Sequence, residues 1–246
     1  MTPLEAETAT KAQINALGAG YMFDKPTREL GKEHGYRGME FYFAGRGGVL
    51  GECDADVVKA AFGWFSASLA RTQWEAGSSI AGPKRAAELY NQAMANWGAA
   101  KLAGVEGVER FAELGERMVA AVGPDGLPLF VGWRAMPRSE KPAAHAYQIV
   151  ALLRELRGSA HVVATMAQGL TDVEAIVSTP GHGPDRAERF GHEAPFPEAA
   201  ANAEAMARAE ATTDHMMERA WAALDDAERA EMVELTARLH RAAVDN

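Results

Sequence analysis

Apolar residues along this chain recur mostly at spacings of three and four, and strictly alternating runs are short, which is the pattern of amphipathic helices rather than strands. That periodicity predicts helices near 4–17, 26–34, 54–76, 83–102, 105–121, 141–167, 171–178, 197–222 and 225–244. Two Gly/Pro-rich stretches interrupt it, GPDGLPLFVGWRAMPRSEKP at 123–142 and STPGHGPDRAERFGHEAPFP at 178–197, and both read as connections. Leu129, Phe130, Trp133 and Phe190 within them are expected to anchor on a core. The first connection is the better boundary. The expected fold is therefore mostly α, a multi-helix bundle in two packed halves, 1–125 and 126–246, which one continuous domain would also satisfy.

The stretch FYFAGRGGVLGECDADVVKAAF, residues 41–62, sets four glycines ahead of an apolar helical pattern. A phosphate loop needs Lys and Ser/Thr after its last glycine, and here Glu52 and Cys53 follow Gly51. A dinucleotide fingerprint needs glycine where Leu50 stands. The simpler expectation is that the glycines turn the chain at positive φ and that Asp54 caps a helix beginning at Ala55. Arg46, beside Tyr42, either grips a carboxylate or phosphate or pairs with a structural acid. Cys53 precedes a helix N-terminus, where a thiolate would be stabilised, yet it has no identifiable histidine partner.

HAYQIVALLRELRGSAHVVATMAQ, 145–168, is the longest well-patterned segment of the second half. At 100° per residue His145, Ile149, Leu152, Leu153, Leu156, Val163 and Met166 share one arc, the expected core face. The opposite arc carries Tyr147, Arg154, Arg157, His161 and Thr165; it is either a solvated face or a set of cations converging on one anionic group. Gly158 predicts a tolerated kink or a close neighbour. In the later helix Glu210 and Asp214 are like charges one turn apart, which calls for a nearby cation from Arg154, Arg157 or His161. A buried network between these two helices is the expectation.

Composition narrows the functional classes. A formal charge of −9 disfavours nucleic acid, and no basic run offsets it. The single cysteine excludes an intrachain disulfide and fits a reducing cytoplasm. No apolar run is long enough to span a membrane, and the first residues lack a signal-peptide core, so a cytoplasmic location without a membrane partner is expected. His182 and His192 match no zinc spacing, no metal site is indicated, and no particular cofactor is implied.

Three quoted segments carry a resemblance. FYFAGRGGVLGECDADVVKAAF, LLRELRGSAHVVA, and the set Glu210, Thr213, Asp214 and Trp221 resemble, in order, motifs of the mainly actinobacterial SalK-like proteins, often described as helix-turn-helix proteins. The resemblance implies a mostly helical fold with a degenerate winged-helix-like portion in the C-terminal half, in a family found near natural-product genes. Its positions Arg154, Glu155, Arg157, Gly158 and His161 match here, while Leu156, Ser159 and Ala160 depart from the pattern, replacing a histidine, an aspartate and a glycine. The segment 182–200, where a wing is expected, is poor in strand pattern.

The leading expectation is a protein binding a small anionic or carbonyl ligand in a pocket lined by Arg154, Arg157, His161, Arg46 and Tyr42, which either senses the ligand or acts on it. In a catalytic version His161 is the general acid/base, Arg154 and Arg157 stabilise charge, and Glu210 or Asp214 orients. The alternatives are a transcriptional regulator and a non-catalytic protein-interaction module.

Overall fold

A computed structural model describes residues 1–245, with side chains to Val244. It contains thirteen α-helices and, among the described residues, no strand. The expected all-helical bundle is thus the architecture, and residues 182–200 form no β wing.

Helix α1 (Pro3–Ala19) begins at a capping box in which Thr2 and Glu5 satisfy each other's backbone N–H, and α2 (Lys25–Glu33) begins at Asp24, whose carboxylate accepts from the Lys25 amide. The glycine-rich stretch departs from expectation. It is a helix, α3 (Glu40–Gly47), and residues 41–47 are all buried. Its glycines serve close approach rather than a turn: a Cβ on Gly45 would lie 2.6 Å from the Tyr90 ring, and one on the following Gly48 2.1 Å from the Pro83 carbonyl oxygen. Only Gly51, after a single 3-10 turn, has positive φ, at 78°. Tertiary contact here outweighs the low helix propensity of glycine, a cost of about 1 kcal/mol each.

The single helix expected over 54–76 is two, α4 (Ala55–Phe62) and α5 (Ala67–Ala81). Gly63 at φ 81° ends the first, and the Ser66 hydroxyl accepts from the Leu69 amide to start the second. Asp54 stands at the N-cap of α4 as expected, but its side chain makes no capping bond. Helices α6 (Pro83–Lys101) and α7 (Val108–Ala120) follow. The first connection hides α8 (Pro128–Arg134), with Pro128 in its first turn and Leu129, Phe130 and Trp133 buried as anticipated.

Helix α9 (Pro142–Ala167) is the axis of the molecule, packed against α1, α6, α7, α8 and, from further along the chain, α12 (Ala203–Trp221). Neighbours on several sides of all but its last turns explain why the single apolar arc fails. Tyr147, from the supposedly polar arc, is fully buried, whereas Val163 and Met166, from the apolar arc, are 39% and 69% exposed. Gly98 and Gly115 allow α6 and α7 to close on α9: a Cβ would meet Tyr147 at 2.3 Å and Ile149 at 2.1 Å. Gly158 has nothing within 4 Å and the helix runs through it, so neither a break nor a close neighbour explains that glycine. His145 pairs with Glu116 at 2.9 Å at the edge of the core rather than within it.

Helix α10 (Asp172–Ser178) falls on the helix expected at 171–178, the second connection contains α11 (Pro184–Arg189), and α13 (Asp226–Asp245) packs against α1. The main apolar core runs from Ala6 to Leu239 and so crosses the 125/126 position. A satellite core of Ile176, Val177 and Ala187 holds α10 and α11 on Trp64, in the break between α4 and α5. No helix of the described residues is long and apolar enough to cross a membrane.

Candidate functional site

Two polar clusters grow from the second half of α9, and they divide the sequence-predicted residues between them. The first joins α9 to α3. Arg46 donates through Nε to one oxygen of Glu155 (3.0 Å) and through Nη2 to the other (2.8 Å), while its Nη1 donates to the Tyr42 hydroxyl (3.0 Å). The guanidinium also lies 4.3 Å from the centroid of the Phe62 ring. Burial works against charge on both partners, and the contact overrides it: Arg46 is held above its ordinary range by Glu155, and Glu155 below the usual carboxylate range by Arg46 and then Arg154. Of the two readings of Arg46, the structural acid is therefore present, and it is Glu155.

Arg154 donates Nη1 to the same carboxylate at 3.0 Å, but its Nε is buried without a protein partner. Gly18 of α1 makes room for it, since a Cβ there would lie 2.8 Å from the Arg154 Cβ. Sequence reasoning passed over the next member, Arg186 of α11. Its guanidinium stacks 4.9 Å from the Phe190 centroid, its Nε is likewise buried and unpartnered, and no carboxylate among the described residues pairs with it. Burial pushes Arg186 below the usual arginine range, and the charges of Arg189 and Arg154 push it further. A row of rings ties this arginine to Tyr42: Phe190 lies 4.5 Å from Phe65, Phe65 5.8 Å from Tyr42, and Tyr42 stacks at 4.8 Å on Phe23, which is 51% exposed. The segment carrying Arg186 is clamped in place, because Ser66 N donates to Phe190 O at 2.9 Å and the His192 ring bonds Trp64 O at 2.9 Å.

The second cluster joins α9 to α1 and α12. Arg157 donates Nε to Glu7 (2.9 Å) and Nη2 to both Glu210 (2.5 Å) and Asp214 (2.9 Å). Lys11 bridges the same two acids at 3.1 and 2.7 Å, and the Trp221 indole donates to the other oxygen of Glu7 at 2.8 Å. Like charges one turn apart on α12 are thus tolerated because two cations sit between them. Burial raises Glu7 in spite of its donors. It lowers His161, with Glu210 opposing and Arg157 reinforcing. The Thr213 hydroxyl donates its one proton to Ala209 O at 2.7 Å and therefore accepts from His161 Nδ1 at 2.8 Å, which assigns the proton of the neutral ring to Nδ1. Glu7, Lys11 and the indole of Trp221 were not predicted as members; the carboxylate of Glu7 falls on an unremarkable helical pattern and is marked only by what folds against it.

The remaining predicted positions lie elsewhere. Burial, then Asp54 and Glu52, push the Cys53 thiol up, opposite to the shift a helix N-terminus would give. His182 is exposed on the turn before α11. A surface cavity of about 590 Å³ opens between Val122, Asp125 and Leu127 and the outer face of α12 at Thr212, Met216 and Arg219, and none of the predicted residues lines it.

A helix-turn-helix family matches residues 7–194, which spans both halves of the bundle and all of α9. The chain belongs to that family. Nothing among curated proteins or solved structures matches it.

Proposed function

We propose that this protein binds a small anionic molecule on the base-rich side of α9, between Arg154 and Arg186, with Tyr42 and Arg46 behind them. One observation carries the reading: Arg46 and Arg154 share a single carboxylate, Glu155, Arg186 pairs with none among the described residues, and Arg154 and Arg186 each hold a buried Nε donor with no acceptor. An idle buried donor costs about 1–3 kcal/mol, more when charged, and an arriving anion recovers it. Arg157, His161, Glu210 and Asp214 support the site from the other face of α9 rather than facing the same anion, since the acids already occupy Arg157. The resemblance to SalK-like proteins fits a ligand drawn from specialised metabolism. Thermal-shift titration of the full chain against small carboxylates and phosphate tests the proposal: a saturable rise in Tm that Arg154→Met abolishes is expected, and no rise with any anion overturns it.

Family membership favours a second reading, a transcriptional regulator. Helices α10 and α11, joined by residues 179–183, are the short helix pair nearest to that motif, with Arg186 and Arg189 on the second helix. A net charge of −9 opposes approach to DNA phosphates. Salt-dependent retardation of DNA adjoining the protein's own gene, lost in the Arg189→Ala variant, would establish this reading instead.

A further inference from the structure

We infer that the ligand is an aromatic carboxylate, whose carboxylate is shared by Arg154 and Arg186 and whose ring lies along the Phe23, Tyr42 and Phe190 side chains; the inference rests on the anion-binding reading above. Three observations narrow an anion to this class. The first is the form of the idle donors. Arg46 engages Glu155 through Nε and Nη2, one carboxylate oxygen each, and Arg154 and Arg186 carry the same Nε donor unused. A planar two-oxygen group matches that side-on fork better than a tetrahedral phosphate, for which backbone N–H groups at a helix start or glycine loop are the usual cradle. The glycine-rich segment that might have formed such a cradle is instead packed as α3, with its glycines against Tyr90 and Pro83.

The second observation is the aromatic row. Phe190 backs the Arg186 guanidinium, Phe65 follows, and Tyr42 carries Phe23 stacked on it at 4.8 Å with half of the Phe23 ring open to solvent. An open ring beside a buried row is a stacking surface for a flat apolar body. The third is charge. Glu155 is the acid that Arg46 and Arg154 share, and Arg186 has no acid partner among the described residues, so a surplus of positive charge remains that a carboxylate neutralises. Arg186 is then the residue that selects the ligand. Lysine cannot replace it, because an ammonium supplies charge without the fork.

Calorimetric titration of the full chain with benzoate, 2-naphthoate, cyclohexanecarboxylate and inorganic phosphate tests this. The two aryl acids should bind at least tenfold more tightly than the alicyclic acid or phosphate. Arg186→Met and Arg186→Lys should each weaken 2-naphthoate at least tenfold with unchanged circular dichroism, and Phe23→Ala should lower the preference for aryl over alicyclic acid. If phosphate or cyclohexanecarboxylate binds as tightly as the aryl acids, the aromatic class is overturned while anion binding stands. Aryl binding that survives both Arg186 variants overturns the placement. Binding of none of the four overturns this inference and, with a flat thermal-shift panel, the proposed function as well.

Discussion

Residues 154 and 157 are one helical turn apart on α9, and their guanidiniums live in opposite surroundings. Arg157 faces three carboxylates, those of Glu7, Glu210 and Asp214, with Lys11 beside it. Arg154 shares one carboxylate with Arg46, and Arg186 has none among the described residues. Buried charge is tolerated when it is paired and hydrogen-bonded. By that criterion the Arg157 cluster is complete within the protein and ties α1, α9 and α12 together, whereas the Arg154 cluster carries an unmatched surplus of cation. A saturated cluster is a structural joint, and an unsaturated one is where an external partner gains most.

The sharpest way to break this contrast is to remove its single shared acid. Glu155→Ala strands the buried Arg46 and should cost about 3–5 kcal/mol in denaturant unfolding, the range for an orphaned member of a buried pair. Arg157→Met should cost somewhat less, about 3 kcal/mol, because Lys11 stays between Glu210 and Asp214 and only Glu7 loses its cation. Trp221→Phe keeps the packing and removes one donor from Glu7; a loss of about 1–3 kcal/mol is expected in the same measurement.

Acid should dissolve the Arg157 cluster in stages. His161 is depressed by burial, so the unfolded chain takes up its proton first; its contribution is full above the ordinary histidine value of about 6.5 and is lost as pH falls through the lower folded value. Glu210, and Glu155 of the Arg46 cluster, are also depressed in the fold and add losses below the ordinary carboxylate value of about 4.3. Glu7 is raised and has the opposite sign, its contribution being full at low pH and lost as pH rises through its folded value. A His161→Gln variant should flatten the first stage of acid loss in the stability profile and leave the second. The smallest loss is expected at Arg186→Met, which without ligand should be neutral or stabilising by about 1–3 kcal/mol, since no acid partner is lost and a buried donor without an acceptor is removed. A large destabilisation there would show Arg186 to be a structural cation like Arg157.

Periodicity reached the helices wherever one face meets solvent, as in α1, α2 and α12. It failed at α3 and α8, where glycine and proline are read as turn residues but act as a close-packing surface and a helix start. It failed on α9 for a related reason: most of the helix is enclosed by neighbours and has no polar side to reveal, so Tyr147 of the polar arc is buried, while near its end the helix emerges and Met166 of the apolar arc is exposed. The site was partly legible. Arg154, Arg157, His161, Glu210 and Asp214 stand out as charges at helical spacing, and Arg46 as a lone cation among aromatics. Arg186 did not stand out, because it belongs to a Pro/Gly-rich segment with other charges, and its isolation from any acid exists only in three dimensions.

The sequence by itself determined the helical class, most of the long helices and the residue types that carry charge into the interior, since these depend on local propensity and on spacing within one element. Only the tertiary structure decided which charges meet. Partners such as Glu7 and Trp221 are separated by more than two hundred residues and Arg46 and Glu155 by more than one hundred, and no local pattern specifies that distance. Pairing, and hence the difference between a satisfied joint and a surplus of buried cation, is set by how α1, α3, α11 and α12 pack around α9 and its neighbours.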